Sequence, residues 1–213
     1  MRHAGAYPPF VNNRLAFAGP ARHGHAMDTT ILDQQRVYDG WLSLTRLSVR
    51  MPNGAVEERH VEDHGAAVAL LPFDPARRTA ILISQPRIPV LLAGEPALLE
   101  VVAGRLEPEG SDYTVRKEAL EEAGLRLRAI QPVAHIWSMP TISTERIHLF
   151  LAEYGPEDRV ASGGGAADEN ECISVHELSL ATIWAQVLDG RISDAKTLIL
   201  IQYLRIARPE LFA

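Results

Sequence analysis

The chain has 213 residues, 46% hydrophobic and 23% charged, with a formal net charge of −6. That length allows one ordinary domain plus a small accessory region, with enough apolar residues for a packed core. The acidic balance argues against a nucleic-acid partner, which asks for a basic footprint, and the single cysteine, Cys172, excludes an internal disulfide framework and a cysteine-built zinc site.

Residues 1–26 carry Arg2, Arg14 and Arg22 and no acidic residue, among Pro, Gly, Ala and His. They read as a flexible N-terminal tail, without the apolar core or arginine-rich amphipathic face of a targeting peptide. The periodic sequence starts just after Met27, which could itself be the start. Residues 27–63 read as a small antiparallel β domain. Val37 to Arg50 is strand-rich around a tight turn at Tyr38-Asp39-Gly40-Trp41. Pro52-Asn53-Gly54 signals a second turn, and Val56 to Val61 returns as a strand.

Residues 64–213 form the main domain. Ala66 to Phe73 is a continuous apolar run, as a buried strand would have. Thr79 to Ser84 and Leu98 to Ala103 are the next strands, the latter closed by Gly104. Ser111 to Ala123 is a helix, with Ser111 and Asp112 as N-cap types and Gly124 as its stop. Ile147 to Ala152 is a strand, Ser162-Gly163-Gly164-Gly165 a flexible loop, and Ile173 to Val175 a short strand. Two amphipathic helices follow, one over about Leu180 to Leu188, the other from an N-cap at Ser193 to about Ala207. Strands and helices mix without βαβ alternation, which predicts an α+β fold with a mixed sheet between helices. No apolar run approaches the roughly 18 residues of a membrane span, so no membrane partner is expected. The low cysteine count suits a reducing, cytoplasmic setting.

Glu118, Glu121 and Glu122 stand at i, i+3 and i+4, which puts three carboxylates on one helical face. Alone they read as a solvated acidic surface. Their mutual repulsion would be offset by a hard divalent cation such as magnesium, which takes oxygen ligands and leaves room for substrate phosphates. The context sharpens this. A Gly-turned loop leads into the helix, Lys117 adjoins the cluster and Gly124 ends it. The segment Gly104 to Leu125 resembles the Nudix box, GX5EX7REUXEEXGU, with Glu109, Glu118, Glu121 and Glu122 at its glutamates. Lys117 stands where the box has Arg, Ala119 is smaller than the usual aliphatic, and the loop after Gly104 is one residue short, which leaves the role of Glu109 open.

The resemblance extends over about residues 30–206 and is closest to the bacterial ADP-ribose pyrophosphatase branch, with GDP-mannose hydrolases as near kin. Four stretches carry it: 38–44, 65–75, Gln85-Pro86-Arg87 with 99–104, and 167–176. It implies a Nudix fold and Mg²⁺-dependent cleavage of a nucleoside diphosphate sugar, with Mn²⁺ as a substitute. The implied metal ligands are the carbonyl of Ala103 with Glu118, Glu122 and Glu171. Glu169 matches the loop glutamate proposed as general base, and Glu121 the supporting box glutamate. Arg87 matches an arginine that holds the diphosphate, Glu100 a glutamate bordering the site, and Glu145 a carboxylate facing the terminal sugar. Trp41 matches a base-stacking aromatic contributed across a domain-swapped homodimer, though it reads equally as core. His64, His148 and His176 read as structural, and Cys172 as a small buried residue. Thr141 and Ile142 stand where the family has glycines facing the distal sugar, which leaves a broad nucleotide-sugar or GDP-mannose hydrolase open. A Nudix-fold binding protein without catalysis is the rival of another class; the three helix glutamates speak against it.

Overall fold

The structure, a computed structural model, describes residues 28–166 and 172–213. The N-terminal tail with Met27, and Glu169 and Glu171 in the acidic run, lie outside the described residues. β1 (Thr30–Asp39), β2 (Ser43–Arg50) and β3 (Val56–Asp63) form a three-stranded sheet in chain order. The described residues fall into two compact units, 28–34 with 47–59, and 35–46 with 60–213. All residues of the candidate site belong to the larger unit.

That unit is built on a six-stranded mixed sheet. β4 (Ala67–Asp74) lies at its centre, parallel to β8 (Arg146–Glu153) on one side. On its other side β4 divides its edge. Ala67 to Leu70 pair with β6 (Val102–Arg105), while only Phe73 and Asp74 pair with β5 (Thr79–Ser84). β7 (Gln131–Trp137) and β9 (Ser174–Ser179) complete the two ends of the sheet.

Alternation along β4 makes the two cores. Val68 and Leu70 join Ile81, Ile83 and Val102 against helix α2 (Ser111–Ala123), through Val115, Ala119 and Ala123. Ala69, Leu71 and Phe73 face the other way, onto α3 (Leu180–Leu188) and α4 (Ala195–Ala207), through Leu180, Ile183, Leu200, Ile201 and Leu204. A central strand buried on both faces is why this stretch has an unbroken apolar sequence. The expected mixed sheet between helices is thus the observed one, accompanied by the small N-terminal sheet.

Several local expectations need correction. The helix predicted from Ser193 is capped by Asp194, whose carboxylate accepts from the Thr197 amide at 3.0 Å. Gly110, not Ser111 or Asp112, is the N-cap residue of α2, and Asp112 instead lies in the first turn, where its charge suits the helix dipole. The strand expected over Ile173 to Val175 starts at Ser174 and runs on to Ser179 as β9. The strand expected over Leu98 to Ala103 begins at Val102, although Glu100 still exchanges both backbone hydrogen bonds with Ile83. Cys172 is exposed, not buried. β7 was not expected at all: Pro132 and an irregular register beside it place it at the sheet edge, where strict alternation is not required. α1 (Ile88–Leu92) buries none of its five residues, so it shows no helical period.

Candidate active site

Helix α2 packs Val115, Ala119 and Ala123 into the core. The same rotation turns Glu118 and Glu122 toward β6. Glu122 is 1% exposed, and its Oε2 accepts the Ala103 amide at 2.9 Å. Glu118 lies against Gly104: a Cβ on that residue would overlap its carboxylate, so only glycine admits the side chain there. The small Ala119 between them is fully buried. Two carboxylates therefore meet two consecutive residues of one strand.

Glu121 turns away from this pair toward Lys117, whose ammonium is 3.6 Å from it and 2.6 Å from Glu107. The hydrogen bond to Glu107, with the charges of Glu121 and Glu118, holds the Lys117 ammonium well above the usual lysine range. Glu109 is exposed. In the shortened loop it is Glu107 that reaches the box lysine, a role the motif spacing did not reveal.

Among the described residues no three His, Cys, Asp or Glu side chains gather as a metal group by themselves. The donors present are the carboxylates of Glu118 and Glu122 and the backbone at Ala103, all hard oxygens. That set fits a hard divalent cation that retains waters and shares phosphate oxygens. Glu171, the expected fourth ligand, and Glu169, the expected base, lie outside the described residues. The root of their loop is fixed, however. The Gly164 amide donates to the Glu122 carbonyl at 2.9 Å and the Gly165 amide to the Glu121 carbonyl at 3.0 Å. Gly163 has φ +72°, and a Cβ there would overlap the Glu122 carbonyl. The glycine run expected as a flexible loop is hydrogen-bonded to the last turn of α2.

Ala103 and Gly104 also line a cavity of about 450 Å³, within the size range of small-ligand sites. Arg87, Trp41, Glu145, His64, Trp137 and Lys196 line it as well. Arg87 donates to both oxygens of Glu100, at 2.9 and 3.1 Å, and Lys196 donates to the same carboxylate at 2.7 Å. Glu100 is only 2% exposed, so it supports the two cations from behind them. Burial would push its carboxyl up, but Arg87 and Lys196 outweigh this and hold it below the usual range.

Trp41 is 70% exposed, which rules out the core reading of this residue. Its ring stacks on His64 with centroids 5.3 Å apart. His64, expected to be structural, lies in the cavity wall between Glu62, 2.7 Å from Nδ1, and Glu145, 3.2 Å from Nε2. Trp137 is a second aromatic wall, with the Arg146 guanidinium 4.7 Å above its ring. The other two histidines are spent elsewhere, His148 stacked on His135 and His176 hydrogen-bonded to Ser84. Of the expected residues, the structure brings Arg87, Trp41, Glu145 and Ala103 onto one cavity, with Glu100 behind it and with Glu118 and Glu122 of α2 against Gly104 and Ala103 of β6. Sequence reading missed Glu107, which the shortened loop moves off the motif's spacing, and Trp137 and Lys196, which share no local spacing with the motif.

Residues 63–198 match the NUDIX domain family. The chain is 37% identical over 187 residues to the ADP-ribose pyrophosphatase of Escherichia coli (strain K12), covering 84% of this chain and 88% of that protein. It is 37% identical over 151 residues to the GDP-mannose pyrophosphatase of Cronobacter sakazakii, covering 70% of this chain and 78% of that one. A crystal structure of an ADP compounds hydrolase superposes with a TM-score of 0.71 at 16% identity, covering 88% of this chain and 98% of the other. This last likeness concerns the fold alone.

Proposed function

The chain belongs to the NUDIX family, and from that membership we propose that it hydrolyses the diphosphate of a nucleoside diphosphate sugar, ADP-ribose first, to AMP and ribose 5-phosphate. The observation that carries this is the meeting of two half-sites at Ala103-Gly104: these two residues receive Glu122 and Glu118, and they also line the cavity that holds Arg87.

Each residue has a task in this reading. Arg87, oriented by Glu100, holds the diphosphate through its remaining donors, and Lys196 adds a second cation. Glu118, Glu122, the Ala103 carbonyl and Glu171 would hold Mg²⁺, with Mn²⁺ as a substitute, and the metal would supply charge neutralisation on the phosphates and a lowered pKa for bound water. Glu169 would serve as the general base for the attacking water. Glu121 supports the box through Lys117. Trp41 offers its free face to the base, and Glu145 faces the distal sugar.

We further infer a homodimer in a cytoplasmic setting. Every residue of β1 is exposed, and Ile31, Leu32, Val37 and Tyr38 are among the large apolar side chains left uncovered there. An uncovered strand of that kind is a natural pairing surface. Light scattering that finds a monomer would remove this part. No helix among the described residues is long and apolar enough to cross a membrane.

A second reading has its own support. One of the relatives at 37% identity carries the name GDP-mannose pyrophosphatase, and the 139–145 loop has Thr141 and Ile142 where a close backbone approach would ask for glycine. A panel of ADP-ribose, ADP-glucose and GDP-mannose with Mg²⁺, read by the nucleotide released, decides between them. Preference for GDP-mannose over both adenine compounds installs the second reading. No turnover of any member, with tight binding of one, points to a non-catalytic protein.

A further inference from the structure

His64 has no place in the chemistry above, yet it touches three parts of the cavity wall. Its Nδ1 is 2.7 Å from Glu62 at the end of β3, its Nε2 is 3.2 Å from Glu145 before β8, and its ring lies under Trp41 at 15° to the indole. The same two segments are joined by their backbones. The Glu62 amide donates to the Ile142 carbonyl at 2.9 Å, and the Thr144 amide donates back to the Glu62 carbonyl at 3.1 Å. Ser143 also bonds the Glu62 carboxylate through its side chain. The loop carrying Thr141 and Ile142 is thus sewn to β3, and His64 closes the seam on the cavity side.

We propose that His64, as an imidazolium between Glu62 and Glu145, is a positioning residue that fixes Trp41 and the 139–145 loop as one wall of the nucleotide-sugar cavity. A doubly protonated ring can donate to both carboxylates at once; a neutral ring can donate to only one and leaves the other facing a lone pair. A cation under the indole is also attracted to its face. The surrounding charges favour that state. Burial would lower the His64 pKa, but the hydrogen bonds and charges of Glu62 and Glu145 outweigh it and raise it above the ordinary 6.5. Asp63, the preceding residue, adds a further negative charge, and the Arg105 cation lies beside Gly65 and acts on Asp63. The wall therefore loosens as pH rises through the His64 pKa.

The inference rests on the cavity being the nucleotide-sugar site, and the test separates the two. Steady-state hydrolysis of ADP-ribose with saturating Mg²⁺ is measured from about pH 6 to about 9, bracketing histidine titration, for the wild type and His64→Gln. In the wild type KM is expected to rise with pH while kcat follows its own profile. In His64→Gln, KM at the acid end should rise about tenfold, the loss of one charge-assisted hydrogen bond, with its pH dependence gone. His64→Arg, a permanent cation with donors for both carboxylates, should restore a low KM at all pH values. Trp41 emission, taken as wild type minus Trp41→Phe, reads the same contact without turnover, since an imidazolium quenches a stacked indole. It should rise through one transition that His64→Gln lacks. A wild-type KM that is flat in pH, or unchanged in His64→Gln, overturns the role of His64, as does an absent Trp41 transition. If no nucleotide sugar is hydrolysed, the functional reading fails, and the Trp41 titration alone upholds or overturns the imidazolium contact.

Discussion

Arg87 gives Nε and one terminal nitrogen to the two oxygens of Glu100, at 2.9 and 3.1 Å, and so meets the cavity with its orientation already set. Glu100 also takes Lys196, so one buried carboxylate aims two cations. In Glu100→Gln, Arg87 loses its paired acceptor and two cations lose their counter-charge. Stability should fall by roughly 3 kcal/mol, as for a broken buried pair, somewhat less because Arg87 is partly exposed. ADP-ribose KM should rise more than kcat falls. The pH dependence has a definite sign. The Glu100 carboxyl is held below its ordinary 4.5, so its contribution is fully present above that pH and lost as pH falls through the lowered value. Thermal melts at descending pH should therefore show a shallower acid loss in Glu100→Gln; identical slopes would contradict this.

Glu122→Gln keeps an acceptor for the Ala103 amide while removing the charge. The fold should survive and kcat should fall by a factor on the order of 10³ or more, through loss of a metal ligand. Circular dichroism with a Mg²⁺ titration checks both halves. Near-wild-type turnover would sink the assignment.

Gly104→Ala places a methyl group where the Glu118 carboxylate lies. The obstacle is the tip of a side chain, so the chain should still fold, but Glu118 must swing away. Metal affinity is expected to drop by about 10–100-fold, comparable to the removal of a ligand-orienting contact. Calorimetric titration with Mn²⁺ measures it, and unaltered affinity would show that Glu118 does not bind from this position.

Glu169→Gln and Glu171→Gln should fail differently. Loss of the base should cost about 10²–10⁴-fold in kcat with metal affinity kept, whereas loss of the ligand should weaken the metal. Metal dependence of turnover in the two variants decides it, and equal behaviour would dissolve the division of roles.

The double variant Thr141→Gly, Ile142→Gly should change selectivity more than rate. The Ile142 carbonyl holds the Glu62 amide, so two glycines both free the seam and open the approach to the distal sugar. The ratio of kcat/KM for ADP-ribose to that for GDP-mannose is expected to shift by about tenfold or more. An unchanged ratio would mean that this loop does not meet the sugar.

What was legible in the sequence had local grammar. Gly124 in the left-handed region stops α2 where expected, and the apolar run of β4 gave away a strand buried on both faces. The helix glutamates were legible because ligand spacing and helix period coincide. β7 was not, because Pro132 and an edge position free it from alternation. Glu107 was hidden by a one-residue deletion that moves the partner of Lys117 along the loop. His64 follows β3, Trp137 ends β7 and Lys196 lies on α4, and only the assembled fold brings them to one cavity. Their partnership is a property of topology, which no window of sequence displays.

The glycine run bonded to α2 has a bearing on how this chain tolerates change in length. Val160 and Ala161 bond the Gly124 carbonyl, and Gly164 and Gly165 bond the carbonyls of Glu122 and Glu121. Helix and loop root are therefore one rigid piece up to residue 165, and any displacement of α2 carries the origin of the acidic run with it. Added residues before Gly163 would tear that piece apart and take the box out of register. Added residues after Gly165 would leave the helix ligands untouched and alter only the reach of Glu169 and Glu171, so the loop's span can be retuned without rebuilding the metal-facing helix.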